Sequence, residues 1–153
     1  MRAAAGALVL LAAAALAACQ PSAPDGVDQA VLDRAIGNRI GDPSTCVLLA
    51  RPDTGEVVYR YGTAVVCGRA YPGCRGEGVR TTEDLLKSFI AAPESVAISC
   101  PTAADGSRSV GWAAGPVAGR PLVFAAVMEG QRALPGMVMT DRLASAFSEA
   151  GMN

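Results

Sequence analysis

Residues 46–62, CVLLARPDTGEVVYRYG, decide the fold. Two strand-like runs, 45–50 and 56–62, are rich in apolar, β-branched and aromatic side chains. They flank the turn RPDTGE, where Gly55 supplies the positive φ that a tight hairpin needs. Tyr59 and Tyr61 share one face of the second run and are expected to serve as packing or edge residues. A hairpin alone is marginal, so its faces must be covered by neighbouring elements.

Those elements are legible on both sides. Upstream, VDQAVLDRAIGNRI (27–40) places Val27, Val31, Leu32, Ala35 and Ile36 at helical spacing, and Gly37 and Asn38 weaken its end. Downstream, TTEDLLKSFIAA (81–92) opens with Thr81 and an acid three residues on, a capping-box pattern. It then presents Leu85, Leu86, Phe89 and Ile90 for burial. SVAISC (95–100) reads as a strand closed by Pro101 and the Asp105–Gly106 turn. SRSVGWAAG and PLVFAAVMEG form a second hairpin around residues 116–119, and Trp112, the single tryptophan, is a buried or half-buried strand residue. MVMTDRLASAFSEAG (137–151) is an amphipathic helix carrying Leu143 and Phe147 and stopped by Gly151. The order helix, hairpin, helix, three strands, helix implies an α+β fold. A five-stranded antiparallel sheet is expected, with the N- and C-terminal helices on one face.

The N-terminus sets the compartment. Met1 and Arg2 precede 16 apolar residues, Ala3 to Ala18, fewer than the ~20 that a helix needs to span a bilayer. The run ends in Leu16-Ala17-Ala18-Cys19, which resembles the lipobox of bacterial lipoproteins. That resemblance implies cleavage after residue 18 and diacylglyceryl modification of Cys19. Several acyl chains make a durable anchor, because each buried methylene contributes ~0.8 kcal/mol. Gln20 follows where inner-membrane retention would favour Asp, which points to the outer membrane. Residues 1–18 are thus a lipoprotein signal, 19–26 the lipidated cysteine and a Pro/Ser/Gly tether, and 27–153 a single domain.

Losing Arg2 leaves 12 basic against 14 acidic side chains, net −2, which gives no electrostatic footprint for nucleic acid. Apart from Cys19, four cysteines remain: Cys46, Cys67, Cys74 and Cys100. An even number in an oxidising compartment reads as two disulfides. With no histidine and no Cys-x-x-Cys pair, a zinc site is disfavoured, and no metal or other cofactor is expected. Sequence alone leaves three connectivities open, and local spacing by itself favours Cys67 with Cys74.

Residues 46–62 followed by CGRAYPGC (67–74) resemble the first hairpin of class D β-lactamases and their penicillin-binding relatives. SVGWAAGPVAGRPLVFAAVMEG (109–130) is similar to the last two strands of that family, and MTDRLASAFSEAGM (139–152) to its C-terminal helix. The resemblance implies a β-lactamase-like sandwich of strand order 2-1-5-4-3 without the helical domain. It also places the loop after the first hairpin beside the third strand. In that layout the implied pairing is Cys46–Cys67 and Cys74–Cys100.

The departures concern catalysis. The family needs a serine and, one helical turn later, a lysine that activates it. Here Cys74 is followed by Arg75-Gly76-Glu77-Gly78, and Asp84 stands three residues before Lys87, the only lysine. The Lys-Thr-Gly element is replaced by Ser99-Cys100-Pro101-Thr102, and the segment bearing the family's second serine motif is missing. No catalytic residue is therefore assigned. Ser88 beside Lys87 is no dyad, because adjacent helical residues diverge by ~100°. Glu83 and Asp84 read as first-turn acids facing the helix dipole. Residues 73–78 lack the Gly-Lys-Ser/Thr ending of a phosphate loop and read as a flexible loop. The expected function is that of a non-catalytic envelope protein. Its lipid anchor would hold it at the periplasmic face of the membrane, to bind or scaffold an envelope protein or peptidoglycan partner. The alternative is a penicillin-interacting serine hydrolase with residual activity.

Overall fold

The computed structural model describes residues 21–153; the signal segment, Cys19 and Gln20 lie outside the described residues. The helices are α1 (Gln29–Ile40), α2 (Ala64–Cys67), α3 (Thr82–Ala91) and α4 (Gly136–Glu149). The strands are β1 (Cys46–Ala50), β2 (Val57–Tyr61), β3 (Tyr71–Pro72), β4 (Val79–Arg80), β5 (Val96–Pro101), β6 (Ser109–Pro116) and β7 (Val123–Gly130).

The main sheet is antiparallel and has five strands, arranged β2-β1-β7-β6-β5. The order expected for five strands, 2-1-5-4-3, needs correcting in its numbering. A two-stranded ribbon, β3 with β4, falls between the first hairpin and the third sheet strand and shifts every later label. The sequence hides this ribbon because each strand is only two residues long, too short for any period to show.

Three layers result. α1 and α4 cover one face with Leu32, Ile36, Met139, Leu143 and Phe147, which pack on Val47, Leu49, Phe124 and Ala126. The other face is covered by α3, α2 and the ribbon. There Leu85, Leu86 and Phe89 meet Leu48, Ala125, Val127 and Trp112. β1 and β7 lie between two apolar layers and are buried along nearly their whole length. That is why they read as continuous apolar runs rather than alternating ones.

The helix ends follow local chemistry. Thr81 caps α3, with its hydroxyl accepting from the Asp84 N–H while the Asp84 carboxylate accepts from the Thr81 N–H, at 3.1 and 2.9 Å. α4 ends in a Schellman motif. The Met152 N–H donates to the Phe147 carbonyl and the Gly151 N–H to that of Ser148, with Gly151 at φ 73° and Met152 fully buried behind it. At the other end of α4, a Cβ on Gly136 would collide with the Trp112 carbonyl and the Ile98 amide, so only glycine lets the helix start directly on β5 and β6.

α1 runs to Ile40, and Gly37, besides weakening its end, leaves room for the Tyr61 ring. One expectation fails locally. Residues 21–26 are not a free tether. Pro24 is buried, the Val27 N–H donates to its carbonyl at 3.0 Å, and Arg51 pairs with the Asp25 carboxylate at 3.2 Å.

Candidate functional site: the open edge of β5

β5 is one of the two edge strands of the sheet and pairs only with β6. The Thr102 N–H donates to the Arg108 carbonyl at 2.9 Å, one step beyond the Pro101–Ser109 pair. Hydrogen-bonded and non-bonded pairs alternate in an antiparallel ladder. Cys100, Ile98 and Val96 therefore exchange bonds with β6, while Ala97 and Ser99 turn both N–H and C=O outward. Pro101 has no N–H, which ends the row of donors. Ala97 and Ser99 are exposed. The result is an unpaired ladder about three residues long.

A groove of about 530 Å³ runs beside this edge. Leu85, Phe89 and Ile98 form its apolar floor, Arg75 and Glu77 its polar wall, and Met137, 69% exposed, its far rim.

The polar wall is the β3–β4 ribbon, and its construction is local. The Gly73 N–H donates to the Gly78 carbonyl at 2.7 Å and the Glu77 N–H to that of Cys74 at 3.0 Å. Residues 73–78, expected as a flexible loop, are thus a closed turn. The Arg80 guanidinium lies 5.2 Å from the centroid of the Trp112 ring, pairs with Glu77 at 3.0 Å and donates to the Gly73 carbonyl at 3.2 Å. Trp112 is fully buried, as expected of a strand residue, and its indole N–H donates to the Pro72 carbonyl at 2.8 Å. Cys74 and Arg75 both sit in the left-handed region, φ 65° and 48°, followed by Gly76 at 82°. For non-glycine residues this backbone is strained, and strain of this kind concentrates at functional loops.

Two disulfides tie the layers together. Cys74 is bonded to Cys100 with Cα atoms 5.7 Å apart, which fastens the ribbon to β5; Cys46 is bonded to Cys67 at 5.1 Å, which fastens α2 to the start of β1. These are the pairs that the β-lactamase-like layout implies. The local Cys67–Cys74 alternative does not occur.

The other singled-out side chains are occupied. The Ser88 hydroxyl donates to the Asp84 carbonyl at 2.8 Å, and Lys87 pairs with Glu83 at 2.7 Å, which raises the Lys87 ammonium above its ordinary value. The Thr81 backbone N–H, then its side chain, hold the Asp84 carboxyl below the usual carboxylate range. Tyr59 is buried and donates to Asp33 at 2.7 Å; burial first, then that bond, push its phenol far above the ordinary range. Tyr61 lies half-buried on the same face.

One buried charge was not anticipated. Glu129 receives two bonds from Arg108, 3.1 Å from Nε and 2.7 Å from Nη2, and one from Thr102 at 2.8 Å. The Arg108 bonds, more than Thr102, hold its carboxyl below the ordinary range. The sequence signal was a lone Glu closing an apolar strand.

Among the described residues, no group of three or more His, Cys, Asp or Glu could hold a metal ion, and no helix is long and apolar enough to cross a membrane. No family model, no curated protein and no solved structure matches the chain.

Proposed function

We propose that the protein is a lipid-anchored envelope module, a reduced β-lactamase-like domain that binds an extended peptide along the open edge of β5 without performing chemistry on it. The observation that carries this reading is the pair of outward-facing amides at Ala97 and Ser99 beside an apolar floor. A peptide that added as a further strand would bond to those groups. Alternate side chains would then fall into the groove over Leu85 and Phe89. The occupied lysine and serine support the non-catalytic half of the reading. Ser88 lines the groove, but its hydroxyl is spent on a backbone carbonyl, and the only lysine is paired on the helix surface. The Cys74–Cys100 bridge supports the family resemblance, since it sets the ribbon beside the third sheet strand.

Two assays test the proposal. Displayed linear peptides selected on the purified domain should yield binders that Ser99→Pro abolishes, because proline deletes one outward donor on an edge where the β6 ladder does not need it. A fluorescent penicillin should leave no covalent label. Binders indifferent to Ser99→Pro would overturn the strand-addition reading, and a stable penicilloyl adduct would overturn the non-catalytic one.

A further inference from the structure

The segment between Cys19 and the domain governs how the domain would stand on a membrane. If residues 21–26 were a loose linker, every orientation would be available. They are not loose. Arg51 and Arg120 hold Asp25, through its carboxylate and its carbonyl respectively, each at 3.2 Å. Pro24 is buried, and Pro21 closes one side of a cavity of about 450 Å³ lined by Val57, Arg60, Ala64 and Thr81. Cys19 precedes Pro21 by two residues, so its Cα lies within about 7.6 Å of that of Pro21 by covalent reach alone. Only Gln20 separates Cys19 from the docked segment at the β2 side of the sheet.

That same corner displays an apolar side chain to solvent. Val65, next to Ala64 on α2, is 70% exposed. Arg60, which lines the same cavity as Ala64, supplies a cation suited to anionic headgroups. The opposite edge of the sheet, β5, lies four strand spacings away, about 19 Å.

We infer that the domain rests on the bilayer through its α2 corner, with Val65 at the lipid interface and the β5 groove turned away from the membrane. The occupant of this surface is a lipid bilayer, and the inference rests on Cys19 being the anchor. With the acyl chains attached two residues before Pro21, lowering Val65 into the headgroup boundary buries an apolar side chain without stretching a long tether. The groove at the far edge then faces the space in which a peptide partner would approach.

Brominated phospholipid vesicles test the orientation, since they quench indoles at the bilayer surface. Full-length protein carrying Val65→Trp or Glu94→Trp, both at exposed positions, is reconstituted in vesicles of phosphatidylethanolamine and phosphatidylglycerol. Trp112 is buried and provides a constant background. The expected result is loss of the emission added at position 65 and none of that added at 94. Quenching at 94, or at neither position, overturns the inference. The mass of the N-terminal peptide of the wild-type protein reports lipidation separately. If Cys19 is bare in cells, the lipidation reading fails. The orientation is then still decided by coupling its thiol to a maleimide phospholipid, the other four cysteines being bridged.

Discussion

Cys74 is covalently joined to Cys100, 26 residues away, and this bond fastens a ribbon with left-handed residues onto an edge strand of the sheet that lies beside a groove. The chain-entropy model assigns a loop of this length about 3–4 kcal/mol. The double variant Cys74→Ser, Cys100→Ser is expected to lose that much in denaturant unfolding. Peptide mapping without reductant should return the Cys74–Cys100 and Cys46–Cys67 fragments of the wild type, and a Cys67–Cys74 fragment would contradict the structure.

Arg75 occupies a backbone conformation that costs a non-glycine residue about 1 kcal/mol. Replacing it with glycine should raise stability by about that amount in chemical denaturation. If the strained turn serves binding, Arg75→Gly should also weaken the peptides selected on the β5 edge. A variant both more stable and equally tight would separate the strain from the site.

Gly136 touches the backbone of both β5 and β6. Adding one methyl there should force α4 off the sheet and destabilise by about 1–3 kcal/mol, the range for overpacked cores. Gly136→Ala should therefore lower the midpoint of denaturant unfolding with little change in slope. An unchanged midpoint would mean that the close approach is relieved by a small shift of the helix.

The Arg108–Glu129 pair should make stability pH-dependent. The folded carboxyl titrates below its ordinary value, so its contribution is fully present above the unfolded carboxylate pKa and fades as pH falls through the lower folded one. The difference in melting temperature between wild type and Glu129→Gln should be constant from neutral pH down to about 5 and shrink below about pH 4. A difference that persists to lower pH would mean that the residue acts through packing rather than through charge.

The sequence was most readable where long periodic runs carried the pattern. The hairpin from Val47 to Tyr61, the Thr81 cap and the Leu143–Phe147 helix face all declare themselves through spacing and capping chemistry. It was least readable where tertiary contact decides. The ribbon of Tyr71, Pro72, Val79 and Arg80 exists because a disulfide and the Trp112 indole hold it, not because of its own propensity. The docked segment around Pro24 depends on arginines 51 and 120, far away in sequence. The groove was legible only in part. Leu85 and Phe89 appear as helix-face residues, but nothing local in Ala97 or Ser99 says that their amides face outward, since that follows from the register with β6.

Hydrogen exchange at two amides tests the central claim most directly. A linear peptide selected on the domain is added to isotopically labelled protein, and exchange is followed by NMR at Ala97 and Ser99. If the peptide adds as a strand to the open edge of β5, both amides should slow markedly, while Ile98 and Cys100, already bonded to β6, change little. Unchanged exchange at Ala97 and Ser99 in a saturated complex would contradict the account.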